Sequence, residues 1–327
     1  MKKNKHVPAF LRVNYSLRPK KQIERKIIVD VFNFRKDWYN FEDYCYIGMG
    51  SVWYIDFLLF HRHLHIPEMI SIEREQGYKR RINFNCPLAC ILPLIGEADQ
   101  IVSNELPWEE PNILWLDLEQ IYDDRIMNLI DRIVEKVRSR DIIILTVKDG
   151  WYELNSKVRN SGKTKKEELK SIHGEYFDDK ISNSEISEET FSKITTQAIF
   201  SLLDYKMLQS GSDLRYQALF TYDYADSTRM LTIGGIFLNN EDRESFELSQ
   251  SQHGKHEFEV ERTVFKINAP ILTIREKHRL DSFMPLISEK IEIDKILRKL
   301  GFEIDRDEFI CYSKVYKYYP LFNEIIV

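Results

Sequence analysis

The chain has 327 residues, with 47 Lys and Arg against 52 Asp and Glu, which gives a formal net charge of −5. This balance excludes a uniformly basic nucleic-acid coat, and a composition that is 43% hydrophobic and 30% charged excludes a disordered chain. No uncharged apolar stretch in the sequence is long enough to span a membrane, and the basic start lacks the apolar core of a secretory signal. We therefore expect a cytoplasmic protein without a membrane part.

The first half of the chain alternates β-prone segments with helix-prone segments. In chain order, strands are predicted at 44–47, 68–72, 89–95, 112–116 and 142–147, with a helix beginning near Pro19 and further helices at 53–64, 76–85 and 125–138. The last of these strands is a near-continuous apolar run, which is typical of a strand covered on both faces. Strands that alternate with helices indicate βαβ units and a parallel sheet, so an α/β fold is predicted.

The pattern changes after Gly150. Residues 155–187 are polar and charged without a strong apolar period, and we interpret them as a mobile insertion or lid. A helix (188–208), two β-prone runs (217–222 and 230–238) and a polar linker (239–253) are predicted to follow. The two β-prone runs predict an antiparallel hairpin. Three parts are expected: an N-terminal basic segment and helix (1–40), an α/β domain (41–240) and a C-terminal extension (241–327).

The first two predicted strands end in residues that suit a nucleoside ligand. The first strand ends at the turn Gly48-Met49-Gly50, and the second ends at Glu73, 23 positions beyond Gly50. Glycines let the backbone approach a ligand, and a carboxylate at this place accepts hydrogen bonds from both ribose hydroxyls. The third glycine of the dinucleotide fingerprint is absent, which favours a nucleoside without pyrophosphate over NAD. In the plainer alternative, the glycines only form a tight turn and Glu73 caps a helix.

Five strands of βα type followed by a hairpin is the order of class I S-adenosylmethionine-dependent methyltransferases, whereas a dinucleotide-binding domain runs through six parallel strands. The sequence also resembles a family of bacterial O-methyltransferase-like proteins. The matching segments are 15–25, 46–51, 54–57, 60–62, 69–73, 84–87, 115–117, 230–235, 272–276 and 318–320. The resemblance implies a Rossmann-like methyltransferase fold, with a mostly parallel sheet, a C-terminal antiparallel hairpin, and N- and C-terminal helical additions.

The resemblance also implies a set of site residues. The residues implied for S-adenosylmethionine are Gly48, Gly50 and Ser51 at the methionine part, Glu73 at the ribose, and Glu97 and Asp99 near the adenine. Asp117, after the fourth strand, would lie nearest the transferred methyl group, and Asp56 is the second candidate for a catalytic role. For Asp56 a purely structural place at the start of a helix is an equal alternative.

The segment Asp117-Leu118-Glu119 stands where adenine N-methyltransferases carry an Asn/Asp-Pro-Pro-aromatic tetrapeptide, which argues against methylation of a base nitrogen. Asp117 is a candidate general base for a hydroxyl, or a ligand of a divalent metal together with Glu119 and Asp149. A cap on a neighbouring helix is its structural alternative. The sequence carries no recognisable metal-binding motif.

Basic residues flank the first predicted helix. Arg18, Lys21 and Arg25 are candidates for gripping the phosphates of a nucleotide or nucleic-acid acceptor. A solvated charged face is the alternative interpretation.

The function predicted from these observations is methyl transfer from S-adenosylmethionine to an oxygen, with S-adenosylhomocysteine as the product. The acceptor is expected to be a small molecule, a nucleotide or a nucleic acid. The alternative is a non-catalytic or repurposed Rossmann-like module in a multi-protein assembly, such as an anti-phage defence system. In that case a protein partner is expected to dock on the aromatic C-terminal segment 316–322.

Overall fold

The computed structural model describes residue 11, residues 14–286 and residues 293–321. The other parts of the predicted N-terminal segment and of the C-terminal extension, including Phe322, lie outside the described residues. The strands are β1 (Cys45–Gly48), β2 (Glu68–Glu73), β3 (Ile91–Ile95), β4 (Asn112–Ile121), β5 (Ile142–Lys148), β6 (Arg215–Ala225), β7 (Arg229–Leu238) and β8 (Phe265–Ile267). Within this part of the chain they form one eight-stranded sheet in the order β3-β2-β1-β4-β5-β7-β6-β8.

The direction of the strands confirms the predicted fold. β7 pairs antiparallel with both β5 and β6, while the other neighbouring strands pair in parallel. The first seven strands thus have the order and the reversed hairpin strand of a Rossmann-like methyltransferase fold. β4 is longer than the predicted 112–116, and its pairing with β5 is irregular between Asp117 and Ile121. β8 is an addition that the sequence did not predict.

The described helices are α1 (Pro19–Asn33), α2 (Lys36–Tyr39), α3 (Ile55–Leu64), α4 (Lys79–Asn85), α5 (Ala98–Asn104), α6 (Asp124–Val134), α7 (Trp151–Ser161), α8 (Lys165–His173), α9 (Glu188–Gln209), α10 (Asn240–His253), α11 (Ile274–Asp281), α12 (Ile293–Leu297) and α13 (Arg306–Val315). None of these described helices has the length and apolarity needed to cross a membrane. The four cysteines are free thiols.

Both faces of the sheet are covered, because side chains alternate along each strand. Tyr46 and Ile47 are neighbours on β1, yet Tyr46 packs in one apolar cluster and Ile47 in the other. The first cluster joins α1 and α3 to the C-terminal helices, and the second joins α5, α6 and α9. The ends of the central strands are therefore held between two packed layers, which fixes the loops that follow them.

The N-terminal helix α1 is part of the main core. It starts at Pro19, a residue whose missing N–H suits a helix start. The backbone N–H groups of Lys20 and Lys21 donate to the carboxylate of Asp226, in the β6–β7 turn, at 2.9 and 3.1 Å. Ile23 is fully buried. A carboxylate about two hundred residues away in the chain thus caps α1 and fixes it against the hairpin.

The two segments that we interpreted as a polar linker and as a mobile insertion or lid contain helices. Residues 239–253 are not a linker: Asn239 accepts a hydrogen bond from the Asp242 backbone at 2.8 Å and so caps α10, whose Phe246 is buried. The expected insertion at 155–187 contains the end of α7 and all of α8. These two helices pack around a small apolar cluster that includes Leu169 and Phe177.

The aromatic C-terminal segment is also part of the core. Tyr318 and Tyr319 are 7% and 8% exposed, and Tyr318 packs edge-to-face against Phe258. The Tyr319 hydroxyl donates to the Pro270 carbonyl at 2.9 Å. Two of the aromatic side chains that suggested a docking surface for a protein partner, Tyr318 and Tyr319, thus pack in the interior of the chain, while Leu321 of the same segment is 58% exposed.

Candidate functional site

A cavity of about 1070 Å³ opens at the carboxyl ends of β1, β2 and β4. Its lining includes most of the predicted site residues: Gly50, Ser51, Asp56, Glu73, Glu97, Asp99 and Asp117, together with Arg18 and Arg25. This edge is where ligands bind in open α/β sheets, because the strand order reverses between β1 and β4 and the loops there diverge. The structure therefore brings distant parts of the sequence together around one site.

The turn after β1 requires its second glycine. A Cβ at Gly50 would lie 2.5 Å from Ser71 Oγ, so no larger residue fits without a shift. Ser51 follows in the left-handed backbone region with a φ of 51°. Gly48 does not line the cavity. A Cβ there would lie 2.6 Å from the hydroxyl of Tyr46, so this glycine makes room for a buried ring instead of facing a ligand.

Glu73 ends β2 at the floor of the cavity. Its Oε1 accepts a hydrogen bond from the Ser51 backbone N–H at 2.9 Å, which ties the end of β2 to the turn after β1. Burial raises the pKa of Glu73 to about 7, although the hydrogen bond from Ser51 favours the carboxylate. The charge of Arg74 and the Ser51 N–H favour the carboxylate but do not offset its burial, and donors from a ligand are suited to do so.

Glu97 and Asp99 lie where β3 leads into α5. Glu97 directly precedes the helix and Asp99 occupies its first turn. Asp99 pairs with Arg132 of α6 at 3.4 Å, in a contact that is nearly half exposed. Both carboxylates belong to the outer wall of the cavity. Because the Asp99–Arg132 ion pair is exposed to solvent, it adds little to stability.

Asp117 lies beside a buried lysine at the end of β4. Its Oδ2 is 3.0 Å from Nζ of Lys21, and 22% of its side chain remains exposed. Burial disfavours the charge, but the cations of Lys21, Arg18 and Arg25 outweigh this effect and hold the pKa of Asp117 below its ordinary range. Such a carboxylate is a weak proton acceptor near neutral pH, which does not fit the predicted role of a general base.

The predicted phosphate ligands are mostly committed elsewhere. Lys21 is fully buried, and its Nζ also lies 2.8 Å from the Glu24 carboxylate. Arg25 is 3% exposed and its Nε donates to Asp56. These residues form neither the predicted phosphate grip nor a solvated face, because their partners come from α1, α3 and β4. Arg18 is different: it is 16% exposed and lies 3.7 Å from Asp226.

The three carboxylates considered as metal ligands do not converge. Asp149 accepts hydrogen bonds from the Trp151 backbone and from Ser192, at 3.0 and 3.1 Å, and does not line the cavity. Glu119 accepts a hydrogen bond from the Tyr15 hydroxyl at 2.9 Å. In the described part of the chain, no group of three His, Cys, Asp or Glu residues has the arrangement of a metal site.

Several lining residues were not predicted from the sequence. Tyr15 reaches the cavity from the segment before α1, and Ser227 and Thr228 reach it from the β6–β7 turn. Lys148 lines the cavity at the end of β5 and pairs with Glu153. These positions lack a motif of their own. Lys148 could have been predicted from its position at the carboxyl end of a strand. The places of Tyr15, Ser227 and Thr228 in the lining depend on how α1 and the hairpin pack.

Comparison with known families gives a match over nearly the whole chain. Residues 13–327 match the family described as "Putative O-methyltransferase". The chain belongs to this family. A comparison with curated proteins finds no match.

Solved structures with a similar arrangement are distant. Cofactor-bound Rv0187 from MTB aligns with 9% identity and a TM-score of 0.37, over 73% of this chain and 84% of its own. The O-methyltransferase TomG from Streptomyces achromogenes, in complex with SAM, aligns with 11% identity and a TM-score of 0.32, over 70% and 93%. Human N-acetylserotonin methyltransferase, in complex with SAM, aligns with 11% identity and a TM-score of 0.32, over 67% of this chain and 56% of its own. Alignments this distant carry no functional argument, and the fold assignment rests on the sheet itself.

Proposed function

We propose that this protein transfers a methyl group from S-adenosylmethionine to an oxygen of its acceptor and releases S-adenosylhomocysteine. The observation that carries the proposal is Glu73: a carboxylate at the end of β2, tied to the turn after β1, in a cavity of sufficient size for a nucleoside. The family to which the chain belongs supports methyl transfer to oxygen.

The residues on the cavity wall divide between the parts of this cofactor. Glu73 accepts hydrogen bonds from the two ribose hydroxyls. The turn at Gly50 and Ser51 borders the methionine part, and Glu97 and Asp99 border the adenine. When bound, S-adenosylmethionine supplies a methyl group on a sulfonium that is already electrophilic. The protein therefore contributes mainly by holding and orienting the two reactants.

Asp117 has an orienting role in this proposal. Because neighbouring cations hold its pKa low, Asp117 accepts a hydrogen bond from an acceptor hydroxyl and aligns it without keeping the proton. As the methyl group bonds to the oxygen, the hydroxyl proton passes to solvent in the open cavity. Asp56, held by Arg25, shapes the adjacent wall. The acceptor is a hydroxyl-bearing small molecule. A phosphate-bearing acceptor is a narrower form of the proposal that rests on Arg18 as its cation at the wall.

Calorimetric titration with S-adenosylmethionine and S-adenosylhomocysteine tests the cofactor assignment, with NAD and ATP as competitors. We expect micromolar binding by the wild-type protein, resistance to both competitors, and a loss of about tenfold or more in Glu73→Gln. Glu68→Gln is the matched control, since Glu68 is an exposed residue at the opposite end of the same strand. Absence of binding, or equal binding by Glu73→Gln and Glu68→Gln, would refute the assignment.

A further inference from the structure

Lys21 is a fully enclosed charged side chain beside the cavity. Its side chain has no solvent exposure, and its ammonium lies 2.8 Å from the Glu24 carboxylate and 3.0 Å from the Asp117 carboxylate. The rings of Trp115 and Tyr224 lie 4.8 and 5.4 Å away. Burial opposes the charge on Lys21, but the two carboxylates outweigh it and raise its pKa. The ammonium is therefore a fixed positive charge between α1, β4 and β6.

The partner Glu24 is itself held by a hydrogen bond from the sheet. Its Oε1 accepts a hydrogen bond from Thr232 of β7, and Thr232 Oγ1 lies 2.8 Å from Thr146 Oγ1 of β5. Trp115 Nε1 donates to Thr146 Oγ1 at 3.1 Å. A chain of hydrogen bonds through three strands thus fixes Glu24, and Glu24 in turn fixes the ammonium of Lys21. A charge held this firmly is able to orient the carboxylate it meets.

Asp117 is the member of this network that reaches the cavity. The charged and titratable groups around it are Lys21, Glu24, Arg25 and Arg18 from the N-terminal segment, Asp56 from α3, Tyr15 and Glu119 at the rim, Tyr46 of β1 and Tyr224 of β6. The cation nearest to Asp117 is Lys21, and the contact fixes one of the two carboxylate oxygens.

We propose that Lys21 is a positioning residue of the site: from α1 it keeps the Asp117 carboxylate ionised and fixed in orientation, so that Asp117 presents a constant hydrogen-bond acceptor to the ligand in the cavity. The role of Asp117 toward a ligand rests on the proposed function. The ionised and fixed state of Asp117 does not, because it is a property of the free protein. Lys21 thereby makes the N-terminal helix a component of the site, and α1 serves the cavity as well as the core.

The test is a carbon-13 NMR titration of the aspartate carboxyl groups in the ligand-free protein, with the Asp117 signal assigned by its loss in Asp117→Asn. In the wild type we expect no titration of Asp117 above about pH 4. In Lys21→Met we expect its midpoint to move up by at least one pH unit. Lys26→Met is the matched control, because Lys26 lies on the same helix but donates to the Tyr318 carbonyl at 3.1 Å. It should leave the Asp117 midpoint unchanged.

A second variant covers the case in which Lys21→Met does not fold, since it leaves Glu24 buried without its cation. Lys21→Met/Glu24→Met replaces the whole pair with apolar side chains of similar length, an exchange that buried ion pairs often tolerate. The Asp117 midpoint should rise in this variant too. An unchanged Asp117 midpoint in the variant without Lys21 would overturn the inference. If the wild type titrates as expected but binds no cofactor, the proposed function fails while the Lys21 inference stands.

Discussion

Glu73 gives the sharpest prediction, because its pKa and its expected ligand contact depend on the same carboxylate. The pKa of this group is raised to about 7 by burial in the free protein, and only the ionised form accepts hydrogen bonds from both ribose hydroxyls. With a midpoint near 7, about 3% of the protein carries the carboxylate at pH 5.5 and about 75% at pH 7.5. Affinity scales with the competent fraction, so binding should strengthen roughly 25-fold over this interval.

The assay is calorimetric titration with S-adenosylhomocysteine from pH 5.5 to 7.5, comparing the wild type with Glu73→Gln and Glu68→Gln. The wild type and Glu68→Gln should show the rise in affinity together with proton release on binding. Glu73→Gln should bind more weakly, and its affinity should change little with pH. A flat profile in the wild type, or the same slope in Glu73→Gln, would refute the reasoning about this carboxylate.

The raised pKa of Glu73 also predicts how the stability of the protein depends on pH. The pKa of Glu73 is higher in the folded protein than its usual value, so the stability that it contributes is present at pH 4 and is lost as the pH rises through 7. Without ligand, Glu73→Gln should therefore be more stable than the wild type at pH 8, and the gap should close by pH 5. Chemical denaturation at the two pH values measures this difference.

Two further substitutions test the frame of the site. Asp226→Ala removes the acceptor of two backbone N–H groups at the start of α1 and should lower the free energy of unfolding by about 1–2 kcal/mol in urea denaturation, whereas Ser227→Ala, at its exposed neighbour, should change it little. No loss in Asp226→Ala would contradict the cap. Gly50→Ala places a Cβ 2.5 Å from Ser71 Oγ and should weaken S-adenosylhomocysteine binding about tenfold by calorimetry. Gly77→Ala, where a Cβ meets nothing within 4 Å, should bind normally; equal binding by the two variants would contradict the role of the turn.

The sheet was predictable because its signals are local. Each of β1 to β7 is a β-prone run, and the hairpin direction follows from the short connection between β6 and β7. Glu73 was predictable for a similar reason: it is the acidic residue that ends the second strand. β8 was missed because three residues carry too little pattern, and α10 was missed because it is polar apart from Phe246 and the exposed Leu248.

The charge network was not predictable, because its contacts join distant parts of the chain. Lys21 meets Asp117 across 96 residues, and Glu24 meets Thr232 across 208. A basic run before a helix is more often solvated, and the sequence gives no sign that these side chains turn into the core. The lowered pKa of Asp117 follows from this packing, and so the sequence suggested a general base where the structure holds a carboxylate of reduced basicity.

Gly48 shows the same limit on a smaller scale. The sequence grouped it with Gly50 as one turn, yet Gly50 borders the cavity and Gly48 makes room for Tyr46. Residue type alone does not distinguish the two reasons for a glycine. The distinction depends on which ring packs against the strand.

The most direct test of the central claim is a crystal structure with saturating S-adenosylhomocysteine. The account predicts density in the cavity at the ends of β1, β2 and β4, with the ribose hydroxyls on Glu73 and the amino-acid part beside Gly50. An empty cavity, or a ligand bound away from Glu73, would contradict it.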